Sequence, residues 1–172
     1  MPKEYTGYEI KEAIAKWVVR RDIANKAFTS SIWAFDNDDK PQPGSAFDAY
    51  KNAEIAIAKL ECLQDVFNLN VRLEVQGTQT TLAECVKLRG SAQRMSEMWR
   101  NATQEVEHIY SRTIRVRKQD DVYAKKQVSR GDGVAEVEKA TNYLSAIKAA
   151  IAAGNARKIQ VNDEQLIAFL DK

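Results

Sequence analysis

Apolar residues recur along most of this chain in steps of three and four. Ile10, Ile14, Trp17, Ala24, Phe28 and Phe35 keep that rhythm, with Arg21 and Ser31 filling its gaps. Such a stripe covers one face of a helix, so an amphipathic helix is expected from about Gly7 to Phe35. The stretch DNDDKPQPG, Asp36 to Gly44, combines turn formers with two prolines and ends it. A second helix is expected from about Ser45 to Asn70, with Tyr50, Ala53, Ile57, Leu60 and Phe67 as its stripe. Val71, Leu73 and Val75 then alternate with polar residues. That pattern fits a short strand or a frayed helix end, and Gly77 closes it.

Thr81 and Glu84 have the spacing of a capping box. A third helix is expected over 81–110. Cys85, Leu88, Ala92, Met95, Trp99, Ala102, Val106 and Ile109 give it a coiled-coil-type seam, with Gly90 as its weak point. A fourth helix is expected to begin near Gly133, capped by Asp132 or Ser129, with Val137, Ala140, Leu144, Ile147 and Ile151 as its seam. Gly154 and Asn155 read as its stop. KIQV, 158–161, reads as a short strand, and Asp163 can cap a last short helix through Ile167 and Leu170. The expected fold is mainly α: long antiparallel helical hairpins with coiled-coil-type seams and a small two-stranded β element. It is read as a single domain, with an N-terminal hairpin over 1–76 and helices with short strands near 112–118 and 158–161 over 77–172.

Composition narrows the function. The 172 residues are 44% hydrophobic and 29% charged, a globular profile long enough to bury a core. The net charge of +2 gives no bulk attraction for nucleic acid, and no continuous basic face runs along a helix. Cys62 and Cys85 fall among apolar residues and are expected to be buried free thiols. With one histidine and no CxxC, a Cys/His zinc set is not expected within one chain, and no cofactor is implied. No window suggests a signal sequence or a membrane span, so a cytoplasmic protein is expected (in the host cytoplasm if phage encoded). Phosphate-loop, HExxH and GxSxG motifs are missing. His108 sits one residue before a seam position. Glu105 and Glu107 do not share a helical face, and Asp120 and Asp121 fall in an expected loop. The chain therefore reads as a protein without catalytic activity.

One segment invites a ligand. Within SRTIRVRK, residues 112–118 hold four cations: Arg112, Arg115, Arg117 and Lys118. In a strand Arg115 and Arg117 would share one face, while Ile114 and Val116 turn to the core and the segment pairs with 158–161. Arg89, Arg94, Trp99 and Arg100 add cations and an aromatic from the third helix, and Tyr123 adds a second ring. Arginine forks suit phosphate or carboxylate, and a ring can stack on a base. The plainer interpretation is an edge strand guarded by charge.

From Leu82 onward the chain resembles the septicolysin-like family of helical bacterial proteins. The matching pieces are TLAECVKLRGSAQRMSEMW, TIRVRK and KIQVN; YTGYEIKEAIAKWVVRRDIA also resembles proteins encoded in phages and prophages. The resemblance implies a long coiled-coil-like protein that self-associates, and it carries over no catalytic residues. The family name suggests a toxin, yet the sequence has no long amphipathic β-hairpin for a pore. Two functions follow as expectations. One is a homo-oligomeric interaction protein, its partners further copies of itself or a host protein. The other, which the phage resemblance implies, is sequestration of an anionic small molecule, such as a nucleotide defence signal, at an arginine-rich subunit interface.

Overall fold

The computed structural model describes residues 2–33, 42–104 and 129–172. Its elements run β1 (Lys3–Thr6), α1 (Gly7–Ser31), α2 (Pro43–Asn70), β2 (Arg72–Val75), β3 (Thr78–Thr81), α3 (Leu82–Gln104), α4 (Arg130–Asn155), β4 (Lys158–Val161) and α5 (Glu164–Leu170). The fold is mainly helical, as the periodicity predicts, with two small two-stranded sheets. The chain forms two compact units. One holds the residues up to Arg72 and those from Ala152 on; the other is Leu73–Ile151.

In the first unit, Thr6 starts α1 with a capping box. Its hydroxyl accepts from the Glu9 amide at 3.2 Å, and Glu9 Oε2 accepts from the Thr6 amide at 2.6 Å. Those bonds hold the Glu9 carboxyl below its ordinary pKa. Pro43 sits in the first turn of α2, where its missing N–H costs nothing. Gly7 packs against Phe67 and Phe28 against Phe47, so α1 and α2 run antiparallel. Their stripes meet in a core of Ala13, Trp17, Ala53, Ala56, Ile57 and Leu60. Leu166, Phe169 and Leu170 of α5 pack on that core, and Asp163 caps α5 by accepting from the amides of Gln165 and Leu166.

The strand expected at 158–161 is present as β4. Its partner is β1, antiparallel, with Tyr5 opposite Ile159. The segment 112–118, expected to pair there, lies outside the described residues. Asp171 fastens the sheet. It accepts from the Tyr5 hydroxyl at 2.8 Å and pairs with Lys3 at 2.6 Å. Burial, with the Asp171 bond added, pushes the Tyr5 hydroxyl up to about 12. A raised folded-state pKa makes the neutral phenol stabilising. That stabilisation is complete below pH 10 and is lost as pH climbs from 10 towards about 12. Urea unfolding should therefore show stability falling over this range, and falling less in Tyr5→Phe. Parallel pH profiles for the two proteins would refute the assignment to Tyr5.

In the second unit, β2 and β3 form a hairpin, which settles the strand-or-helix ambiguity after Val71. Gln76 and Gly77 have φ of 50° and 80°, the paired left-handed residues of a tight two-residue turn. The expected capping box then starts α3: Thr81 Oγ1 accepts from the Glu84 amide at 3.1 Å, and Glu84 Oε2 accepts from the Thr81 amide at 2.7 Å. Ser96 meets Thr141 at 3.3 Å, and Gly133 lies against Thr103, so α3 and α4 run antiparallel. Ser129 caps α4 by accepting from the Asp132 amide.

The α3 seam needs correction. Cys85 and Ala92 are buried as expected, and Trp99 is half-buried, but Leu88, Met95 and Ala102 are exposed. The covered face instead runs through Cys85, Ala92, Ser96, Trp99 and Thr103. A strict heptad drifts by about 20° per repeat on a straight helix. Small hydroxyl residues at the close contact with α4 then take the places the apolar count gave to Met95 and Ala102. Val106 and Ile109 lie outside the described residues.

Candidate functional site

The tight turn at Gln76 and Gly77 folds β3 back along β2, β3 leads directly into α3, and a cleft opens beside the hairpin and the helix. Its volume is about 650 Å³. Val75, Thr78 and Thr80 from the hairpin form one wall. Ala83, Glu84, Lys87 and Leu88 of α3 form another, and Tyr143 of α4 completes it. Glu84 is already engaged: its Oε2 accepts from the Thr80 hydroxyl at 2.8 Å, the Thr81 hydroxyl at 2.9 Å and the Thr81 amide. Lys87 is exposed and has no ion pair among the described residues. The half-buried Tyr143 has no hydroxyl partner among them. Cys85 lies behind this wall. Burial pushes its thiol pKa up, so it stays protonated and a poor nucleophile.

A second feature is on α2. Ile55, Ala58, Cys62, Val66 and Leu69 are all exposed and repeat at helical spacing. At 3.6 residues per turn they centre about 180° from the buried stripe of Ala53, Ile57, Leu60 and Phe67. Together with Leu166 of α5, Ala58, Cys62 and Val66 line a groove of about 410 Å³. Cys62, expected to be buried, is therefore exposed. The apolar neighbours that suggested burial belong to this outer stripe.

A third concavity surrounds Trp17. Its indole N–H donates to the Phe169 carbonyl at 2.9 Å, and the Phe169 ring meets it edge-on at 5.4 Å. Arg20 lies over the indole at 4.6 Å and donates to the Lys172 carbonyl. These contacts fasten α5 to α1, so Trp17 works as a packing anchor. Trp33, at 84% exposure, lies at the surface near the end of α1.

Of the residues expected to form an anion site, Arg89, Arg94 and Arg100 are exposed on α3, and Trp99 is half-buried there. Helical spacing turns Arg94 about 140° away from Arg89, so the three guanidinium groups do not converge. The Arg94 side chain folds back over Gly90. Arg112, Arg115, Arg117, Lys118 and Tyr123 lie outside the described residues. Among the described residues no group of His, Cys, Asp and Glu could hold a metal ion, and no helix is long and apolar enough to cross a membrane.

No family model matches the chain, and no curated protein matches it. The fold is similar to one already solved. That crystal structure, of a functionally unknown conserved protein from Corynebacterium diphtheriae, aligns with a TM-score of 0.61 over 92% of this chain and 100% of that one. At 12% identity the likeness shows the fold alone.

Sequence reasoning passed over the cleft and the α2 groove. Lys87 and Tyr143 are 56 positions apart, so nothing local ties them together. The outer stripe of α2 is readable in the sequence, since Ile55, Cys62, Val66 and Leu69 keep helical steps, but the larger apolar residues of the opposite stripe dominate the pattern.

Proposed function

We propose that this protein is a non-catalytic helical interaction protein whose first partner is a second copy of itself. The observation that carries the proposal is the outer stripe of α2. A helix apolar on two opposite faces is normally covered on both; α1 covers one, and α5 only borders the other at Leu166, leaving Val66 and Leu69 exposed. The stripe is also symmetric about Cys62. Ala58 and Val66 stand four residues to either side, and Ile55 and Leu69 stand seven. A two-fold interface needs this property, because each residue on one copy must find its mirror position on the other. Antiparallel pairing of two α2 helices would set Cys62 near Cys62 of the second copy, with Val66 against Ala58.

Val66 and Leu69 are 52% and 59% exposed, so a charge at Val66 should leave the isolated fold intact. Light scattering of the wild type at micromolar concentration should give a multiple of the 19.4 kDa chain mass. Val66→Glu should give one chain mass with an unchanged circular dichroism spectrum. Mild oxidation should join wild-type chains through Cys62, and Cys62→Ser should abolish that product. A wild-type mass of one chain would overturn the proposal.

A further inference from the structure

We infer that the cleft of the Leu73–Ile151 unit binds a monoanionic amphiphile, a carboxylate on a hydrocarbon body, with its head at Lys87. Its volume of about 650 Å³ lies within the range of roughly 300–1,000 Å³ that small-molecule sites occupy. The walls supply a mainly apolar surface from Val75, Ala83, Leu88 and the Tyr143 ring. Such a surface gains by covering a hydrocarbon chain.

The polar groups decide the head. Among the described residues the cleft holds one cation and one anion, Lys87 and Glu84, and they are not equally available. Glu84 Oε2 accepts three hydrogen bonds from Thr80 and Thr81, so its charge is committed to starting α3. Lys87 stands one helical turn further on, with no ion pair among the described residues. Tyr143 lines the same cleft, and its hydroxyl is a second donor there. A ligand amine would meet a like-charged ammonium and an occupied carboxylate. A ligand carboxylate would meet an ammonium and a hydroxyl that have no partner among the described residues. The committed negative charge of Glu84 also disfavours a dianionic head, which separates this site from a phosphate clamp. The inference is independent of chain pairing, because every lining residue lies in this unit and the α2 stripe lies in the other.

Calorimetry on the full chain tests it with three probes of one chain length: decanoate, decanol and decylamine. Decanoate should bind most tightly and decylamine least. Lys87→Gln should weaken decanoate about tenfold or more, as loss of a charged hydrogen bond requires, and should change decanol less than twofold. Tyr143→Phe should weaken decanoate a few-fold. Leu88→Glu should remove binding of decanoate and decanol together, with the circular dichroism spectrum showing an intact fold. Repeating the titration on Val66→Glu should give the wild-type result. No heat from decanoate, equal binding of decylamine, or an unaltered affinity in Lys87→Gln would each overturn the inference.

Discussion

Alanine at Gly7 is expected to destabilise the protein by about 2 kcal/mol and to lower its melting midpoint by roughly 4–8 °C. A Cβ there would lie 2.6 Å from Phe67 Cε1, 2.9 Å from Phe67 Cζ and 2.8 Å from Asn155 Oδ1. Neither neighbour can give way easily. Phe67 is 0% exposed, and Asn155 is 2% exposed and accepts from the Lys11 ammonium at 2.9 Å. Helix propensity acts the other way, since alanine gains about 1 kcal/mol over glycine within a helix. At the first helical position, against a packed ring, overpacking wins. Thermal and urea unfolding check the sign, and a variant more stable than wild type would show that the ring moves freely.

Phe67→Ala is expected to cost more, about 3–5 kcal/mol, through lost burial and the cavity left behind. The two substitutions should also couple. In the Phe67→Ala background the ring atoms that crowd Gly7 are gone, so alanine at Gly7 should cost less than it does alone. A coupling of about 0.5–3 kcal/mol is expected from a double-mutant cycle. Strict additivity would place the strain on Asn155 instead of the ring.

The helices of this fold were legible because their stripes are long. α1 and α2 cover the faces that Ile10, Trp17, Ala24, Ala53, Leu60 and Phe67 predict. The capping threonine at Thr81 was legible for the same local reason, and Thr6 with Glu9 carries the same signal unread. β1 was not legible. Four residues, KEYT, carry too little pattern to announce a strand, and their mate lies at the far end of the sequence. The rotation of α3 was hidden because a hydrophobicity count treats Ser96 and Thr103 as polar. At a close helix contact they serve as small residues. The cleft was hidden because its wall comes from separate elements: the turn at Gln76 and Gly77 sets Val75 into the same cleft as Leu88 of α3 and Tyr143 of α4.

The β1–β4 pairing has a consequence for how the protein is made. Lys3 is hydrogen-bonded within a ladder to a strand that ends at Val161, so the first strand leaves the ribosome long before its mate exists. At about 5–20 residues per second the wait is on the order of ten to thirty seconds. During that time α1 and α2 can already close on each other, while Tyr5 and the Trp17 end of their core lack the cover of β4 and α5. The Leu73–Ile151 unit is synthesised inside this interval. The nascent chain thus carries an open apolar seat beside β1 and α1 until β4 and α5 have been made, and a ribosome stalled anywhere before Lys158 would hold out that seat to whatever chaperone or neighbouring chain is nearest.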